Sequence, residues 1–573
     1  MSFPFKDLAA TFEQLEKTTS GNALRTILAS LFKRVSAGEI DKVAYFTLGQ
    51  IASDYADIVI GMAEKMVLKA VAVAANKDES SVVQLYKKRG DIGIVAQELV
   101  GRKRKDLTVK EVFETLHKIA AAAGARSQER KISLLAQLLK NASAREARYI
   151  ARIVQGNLRL GVGDKTVLDA LCITFTGSKA TKKEVEHAYT ICPDVGAVAR
   201  TIATKGLAGI RKIGVELGVP IKMMLCQRVK NLNEVPEKMG IPFAVEEKYD
   251  GERIQVHKRG NKIVLYSRRL ENITTQFPDI VAAVHKQVNA KDCVIEGEAM
   301  PVDKAGNLLP FQILMQRRRK YEIEEYVKKI PVCLFVFEIL YYGGKSLIHE
   351  PYQKRYALLQ KIIKPSAAIK LALRGVCKNT ECAEEFFNTT VQHGGEGIVI
   401  KSLRPDSVYQ AGVRGWNWVK WKPEYVKGLR DTFDLVVVGA YYGRGRRAGT
   451  YGALLCAAYN DTADRFETLC KLGSGFKDKD LAALPGKFKR YVTGKKPARL
   501  EITKLMIPDV WFAPAIVVEV TGAEITHSPN HTCGLEKGQG LALRFPRFLR
   551  YRPEKKAEQA TTVKEILKMA RKH

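Results

Sequence analysis

The sequence predicts a multidomain protein with an all-α first third, an α+β middle and a small β-barrel at the C-terminal end. Three observations carry this. The chain has 573 residues, 46% of them hydrophobic, which suits about three to four separate cores. Apolar residues recur at helical spacing up to about Gly218 and in short alternating runs from about Ile241. After about Pro423 the apolar runs shorten further and glycines punctuate them. These changes place domain boundaries at 1–215, 216–423 and 424–573.

In the first third, Phe5, Leu8, Phe12 and Leu15, then Leu24, Ile27, Leu28, Leu31 and Val35, each mark one face of a helix. Two stretches here are basic: "GRKRKDL" at 101–107 and "RYIARIVQGNLRLGVGDKTVLDAL" at 148–171. In the second, glycines separate two helices whose ends can offer backbone N–H groups to a phosphate, with Arg152, Arg159 and Lys165 adding charge. An ordinary solvated helix face is the plainer alternative for these three cations.

The middle contains the strand-like runs "KIVLYSRR", "CVIEGEAM", "VCLFVFEIL" and "EGIVIKSL", separated by helical stretches such as "QKRYALLQKII". Its most charged turn lies in "FAVEEKYDGERIQVHKRG", where Lys248 follows an apolar strand and is crowded by Asp250, Glu252 and Arg253. By itself this is also how a solvated hairpin reads. Beyond 423, "FDLVVVGAYYG", "GALLCAAYN", "RFETLCKLGSGF" and "AIVVEVTGAEIT" have the spacing of a small closed barrel of the OB type. The final "TTVKEILKMARKH" reads as a basic helix.

Composition narrows the partner. Lys and Arg number 94 against 61 Asp and Glu, a net charge of +33, with a pI near 9.6. Such a field attracts polyanions, and nucleic acid is the default. No apolar run approaches the roughly 20 residues of a spanning helix, and the start lacks a signal peptide's apolar core, so a soluble intracellular protein is expected. The ten cysteines are scattered without a C-x-x-C pair. They read as small core residues in a reducing compartment, with neither a zinc ribbon nor a redox motif.

Lys248 gains meaning from an ordered series of motifs: K-x-D-G-x-R at Lys248–Arg253, Ser267-Arg268, Glu298 in "IEGEAM", Phe337-Glu338, Glu396-Gly397 with Lys401, and Lys420 with Lys422 in "WVKWK". This series resembles the covalent nucleotidyltransferases, the superfamily of DNA ligases, RNA ligases and capping enzymes. "DTFDLVVVGAYYGRGRRAGTYGALLCAAYN", "GLALRFPRFLRYRPEKKAEQATT", "PFQILMQRRRK" and "RIVQGNLRLGVG" extend the likeness over nearly the whole chain. They resemble ATP-dependent DNA ligases of the archaeal and eukaryotic replicative type, most of all the archaeal ones. The resemblance implies an all-α DNA-binding domain, a nucleotidyltransferase (adenylation) domain and an OB-fold domain.

The chemistry asks for these residues. Attack on the α-phosphate needs a neutral amine, whereas a free lysine has a pKa of about 10.4. Burial, Lys420, Lys422 and a metal ion would favour the neutral form, and Glu246 and Asp250 would oppose it. Glu246, two residues earlier on the same strand, shares a face with Lys248. By resemblance, Lys248 is the nucleophile, Glu246 accepts from the adenine amino group and Phe337 stacks on the base. Glu298 contacts the ribose or the metal, Glu396 holds the metal, and Arg253 and Arg268 lie near the ribose and 5'-phosphate. Lys420 and Lys422 neutralise the α-phosphate, with Arg414 and Trp418 beside them. Arg552 and Lys555 orient the leaving pyrophosphate. The implied cofactors are ATP and Mg2+, with Mn2+ as a substitute. The implied partner is nicked duplex DNA, with a sliding clamp as a further partner. The implied protein is a monomer, cytoplasmic in an archaeal cell or nuclear in a eukaryotic one, acting in replication, repair and recombination.

Two departures stand out. The family's terminal R-x-D-K reads Arg552-Pro553-Glu554-Lys555 here, and Met223 stands where many relatives have proline. An RNA ligase or GTP-using capping enzyme is the alternative, opposed by the helical third and the barrel sequence. An NAD-dependent bacterial ligase would need a four-cysteine zinc module, and an architectural DNA-binding protein would not need every charged position filled.

Overall fold

The computed structural model describes residues 2–100, 105–229, 231–303, 305–317, 323–393, 395–422, 432–443 and 449–570. The basic residues 101–104, 318–320, 444–448 and 571–573, and the expected boundary at 423/424, lie outside the described residues. The chain forms two compact units, Met1–Val83 with Ile92–Pro423, and Gln84–Asp91 with Glu424–His573.

The first third is helical throughout, from Phe5–Glu16 to Val195–Arg211. The expected faces are the buried ones: Phe5, Leu8, Phe12 and Leu15 on the first helix, and Leu24, Leu28 and Leu31 on the second. Capping boxes at Thr108/Glu111 and Ser143/Glu146 fix two helix starts by satisfying backbone N–H groups that have no partner within the helix.

The middle is built on two sheets. Its strands are β1 (Leu225–Arg228), β2 (Phe243–Glu247), β3 (Glu252–Arg259), β4 (Lys262–Ser267), β5 (Asp292–Pro301) and β6 (Val332–Tyr342). They continue with β7 (Lys345–Ser346), β8 (Ile369–Leu371), β9 (Arg374–Cys377), β10 (Ile398–Ser402) and β11 (Arg414–Trp421). One sheet has the order β1-β11-β10-β2-β9, the other β4-β3-β5-β6-β7 with β8 on β6. Ile254, Val256, Ile295, Leu334 and Val336 of the second sheet pack on Ile280, Val284 and Leu359 of its covering helices. Ile191 of the helical third packs with Ile221, Met224 and Trp418, and the Lys222 N–H donates to the Thr190 carbonyl at 2.8 Å. The helical and mixed portions are thereby joined in one unit.

The other unit contains β12 (Phe433–Tyr442), β13 (Tyr451–Asn460), β14 (Arg465–Leu472), β15 (Val492–Thr493), β16 (Leu500–Glu501) and β17 (Val510–Thr521). After these come β18 (Glu524–Ser528), β19 (Cys533–Glu536), β20 (Gln539–Arg544) and β21 (Arg547–Tyr551). A seven-stranded sheet runs β15-β17-β12-β13-β14-β16 with β21 on β17, and β18-β20-β19 form a separate sheet of three. Among the described residues the expected barrel is a curled half-barrel, and its long sheet ends on β15 and β16, each two residues long. Thr468 and Thr532 stitch β14 to the turn before β19, with the Thr468 N–H donating to Thr532 Oγ1 at 2.8 Å.

The cysteine reading needs one correction. Cys377 and Cys382 form a disulfide, their Cα atoms 5.5 Å apart where β9 turns into the helix Thr380–Gln392. Their five-residue separation is wider than a C-x-x-C pair. The other eight are free, six of them buried. No helix among the described residues is long and apolar enough to cross a membrane.

Candidate active site

A cavity of about 530 Å³ opens where the two sheets of the middle region meet, lined by residues of β2, β3, β5, β6, β10 and β11. Lys248 sits just past the end of β2. Its N–H donates to the Gly397 carbonyl at 2.9 Å and its carbonyl accepts from the Glu396 N–H at 3.1 Å, which continues the β2–β10 ladder and sets Lys248 beside Glu396. Gly397 adopts φ +136°, and a Cβ there would strike the Trp421 carbonyl. Only glycine lets the chain pass so close to β11. Gly251 has a similar reason, since its Cβ would strike the Ala299 carbonyl as β3 crosses β5.

The Glu396 carboxylate lies between two ammonium groups, pairing with Lys248 through one oxygen and Lys422 through the other. Lys420, which lies opposite Val399 of β10, is pushed below the usual lysine range by burial and by its neighbours Lys422 and Lys248. Burial pushes the Glu298 carboxyl up to about 7; Lys248 and Arg253 counter that rise, and Glu396 and Asp250 add to it. No group of three or more His, Cys, Asp or Glu among the described residues is arranged to hold a metal by itself. Glu298 and Glu396 fit a hard cation that takes its remaining oxygens from phosphate and water.

The end of the cavity around Glu246 is the more buried one. Glu246 is 3% exposed; one of its oxygens forms an ion pair with Lys401 Nζ at 2.7 Å and the other accepts from the Tyr352 hydroxyl. Phe337 is half-buried and meets Trp418 edge to face, with ring centroids 6.1 Å apart. Trp418 is buried and also packs against Tyr409, so it is a packing residue that forms part of the cavity wall. Arg268 and Arg414 also line the cavity, and both are exposed.

Arg253 is held by a buried network. Its guanidinium donates to the Met224 carbonyl at 2.8 Å and to Glu296 at 2.7 Å. Glu296 also accepts from Gln255 at 2.9 Å and from the Tyr409 hydroxyl. Burial disfavours the Arg253 charge, but Glu296 and Tyr409 outweigh that and raise its pKa. Sequence reasoning missed Glu296, Gln255, Tyr409 and Tyr352, and left Lys401 without a role. Glu296 stands in "IEGEAM" two residues before Glu298, so strand alternation carried a signal for it. Tyr352 and Tyr409 come from distant segments that carried none.

The structure gathers Glu246, Lys248, Arg253, Arg268, Glu298, Phe337, Glu396, Arg414, Lys420 and Lys422 around one cavity. The helical cations fall elsewhere. Arg152 needs correction as a phosphate contact: it is 2% exposed and clamped to Glu16 at 3.0 and 3.2 Å. Its helix turns that face inward, against Tyr149 and Glu16. Arg159 is half-buried with a positive φ of 62°, and Lys165 is exposed in the first turn of the helix Asp164–Thr176. Arg552 and Lys555 belong to the other unit, where both grip Asp434, at 2.8 and 2.6 Å. Glu554, the altered acid of the terminal motif, pairs with Arg552.

Known proteins match this chain along nearly its whole length. The family "DNA ligase N terminus" matches residues 4–172, "ATP dependent DNA ligase domain" matches 223–422 and "ATP dependent DNA ligase C terminal region" matches 447–555. The chain is 45% identical to DNA ligase 2 of Thermofilum pendens over 99% of its own length and 97% of the relative's. It is 44% identical to DNA ligase 1 of Methanosarcina acetivorans, covering 98% of each. The solved structure Pmar-Lig_PreS3 shares the fold, with a TM-score of 0.57 at 18% identity over 95% of this chain and 99% of that one. With a lysine-centred cavity in the mixed region and relatives matched over nearly their whole length, the chain belongs to the ATP-dependent DNA ligase family.

Proposed function

We propose that the protein seals 3'-OH/5'-phosphate nicks in duplex DNA through a lysyl-AMP intermediate on Lys248, with functional domains at 1–215, 216–423 and 424–573. The observation that carries this is Lys248 beside Glu396, Lys420 and Lys422 at one cavity. In the first step the Lys248 amine attacks the α-phosphate of ATP; a P–N bond forms and the bond to pyrophosphate breaks. Lys420 and Lys422 offset the charge building on the α-phosphate. Arg552 and Lys555 orient the departing pyrophosphate. The adenylate then passes to the 5'-phosphate of the nick, and the 3'-OH displaces AMP to close the backbone.

Glu298 and Glu396 would hold Mg2+, which supplies charge neutralisation at the phosphate oxygens when bound. Before attack, Lys248 must part from Glu396 and lose a proton, since an ammonium has no lone pair. Arg253, fixed by Glu296 and Tyr409, presents a set direction to the ribose, while Arg268 and Arg414 provide charge at the open side. Backbone contacts to DNA do not read sequence, so sealing should be independent of it. The protein acts as a monomer on nicked DNA, and a sliding clamp is a further partner to be tested.

The test is a duplex with a 5'-phosphorylated nick, incubated with ATP, GTP or NAD, beside the same nick in RNA. Sealing of DNA with ATP supports the proposal. Sealing confined to RNA, or driven by GTP or NAD alone, contradicts it.

A further inference from the structure

We propose that Lys401 and Tyr352 are positioning residues for the nucleobase, locking Glu246 as an acceptor-only carboxylate so that the cavity selects a purine bearing an exocyclic amine over one bearing a carbonyl. The inference rests on the assignment of Glu246 to the base. It goes beyond that assignment by naming what gives the carboxylate its fixed direction.

Lys401 stands on β10, opposite Ala244 of β2, and is 1% exposed. Its ammonium has three placed interactions. It pairs with Glu246 at 2.7 Å and donates to the Phe337 carbonyl at 2.9 Å. It also lies within an aromatic cage, 4.4 Å from the ring centroid of Trp418, 4.7 Å from Tyr352 and 5.1 Å from Phe337. One cation therefore fixes both the carboxylate expected at the edge of the base and the strand carrying the ring expected on its face. Tyr352, at the start of the helix Tyr352–Ile362, secures the other carboxylate oxygen with its hydroxyl. Arg374 on β9 lies opposite Glu246 in the sheet, with its guanidinium 5.7 Å from the centroid of the Tyr352 ring.

This arrangement is costly to bury, and a buried ion pair is weak support for stability. Its value lies in direction. A carboxylate has about four lone-pair sites, so with the Tyr352 hydroxyl on one oxygen and the Lys401 charge beside the other it keeps sites for a further donor. An amino group on the base supplies that donor. A carbonyl brings lone pairs against lone pairs, and sites built on a fixed hydrogen bond discriminate strongly against ligands that cannot complete it. A looser Glu246 could turn away from a carbonyl and relax the choice.

The test is single-turnover self-adenylation of the full-length protein with α-labelled ATP or GTP over a concentration series, with folding checked by circular dichroism. Tyr352→Phe should raise half-saturating ATP on the order of tenfold, the loss of one hydrogen bond to a charged group. The rate at saturating ATP should change little, and the preference for ATP over GTP should fall. Lys401→Met should do the same more severely, and Lys401→Arg should restore part of the preference. A folded Tyr352→Phe or Lys401→Met protein with wild-type half-saturation and ATP/GTP preference overturns the proposal. So does a fall in saturated rate alone. Glu246→Gln separates the two levels of the argument, because an amide can donate to a carbonyl. If Glu246→Gln shifts the preference while the Tyr352 and Lys401 variants do not, the positioning role fails and the base assignment survives. If Glu246→Gln leaves the preference unmoved, the base assignment fails and the proposal with it.

Discussion

At the scale of single residues, the cavity balances charges that oppose one another until substrate arrives. Glu396 bridges Lys248 and Lys422, while desolvation pushes the half-buried Glu298 carboxyl up to about 7, with Glu396 and Asp250 adding to the rise. The consequence for stability has a definite sign. Glu298 ordinarily titrates at 4.5 and in the fold at about 7, so between those values the folded protein holds a proton that the unfolded chain has lost. Stability from this group is full below the lower value and declines as pH rises to the upper one. Glu298→Gln lacks this loss, so its melting temperature relative to the parent should climb across that window and then level off. A difference that stays constant with pH would contradict the assignment. In the parent, adenylation should fall as pH drops through about 7, because a protonated Glu298 no longer offers a charged oxygen to a cation. Glu298→Gln should be slow at every pH, by about 10²–10³-fold for one lost electrostatic contact.

At the scale of elements, two strands meeting at a glycine place Lys248, and the supporting contacts come from chain segments far apart in sequence. Lys248 and the charged residues that share its cavity were legible because each lies on or beside a strand with its own motif. Glu296, Tyr409, Tyr352 and the Cys377–Cys382 bridge were not, because they depend on which segments the fold brings together. Arg152 shows the opposite failure. Basic spacing suggested a phosphate contact, but the helix Ala144–Val154 turns that side inward to Glu16. Arg152→Ala should therefore cost stability, on the order of 3 kcal/mol for a broken buried pair, as measured by denaturant unfolding. An unchanged midpoint with weakened DNA binding would restore the phosphate reading. The end of the half-barrel makes a separate prediction. Arg552 and Lys555 share Asp434, a carboxylate in the place a phosphate oxygen could take. Changing both to alanine should block adenylation from ATP yet leave sealing of a pre-adenylated nick, since that step releases no pyrophosphate. Equal loss in both assays, with the fold intact, would show that these residues serve every step or only stability.

At the scale of the whole molecule, a net charge of +33 gathers a polyanion, and the proposed chemistry puts the adenylate on Lys248. Affinity for a nicked duplex should fall steeply with salt. Lys165→Glu, which alters an exposed helix start, should reduce the slope of log affinity against log salt by about one and leave the melting temperature unchanged. An unchanged slope would remove that helix from the DNA surface. The central claim is the covalent step, and it is tested most directly by incubating the protein with ATP and a divalent cation and locating the added mass by peptide mass spectrometry. The account predicts one AMP, held through an acid-labile P–N bond at Lys248, formed from ATP and absent from the Lys248→Arg protein, whose guanidinium cannot lose its proton. AMP on another residue, or adenylate still formed by Lys248→Arg, would contradict it.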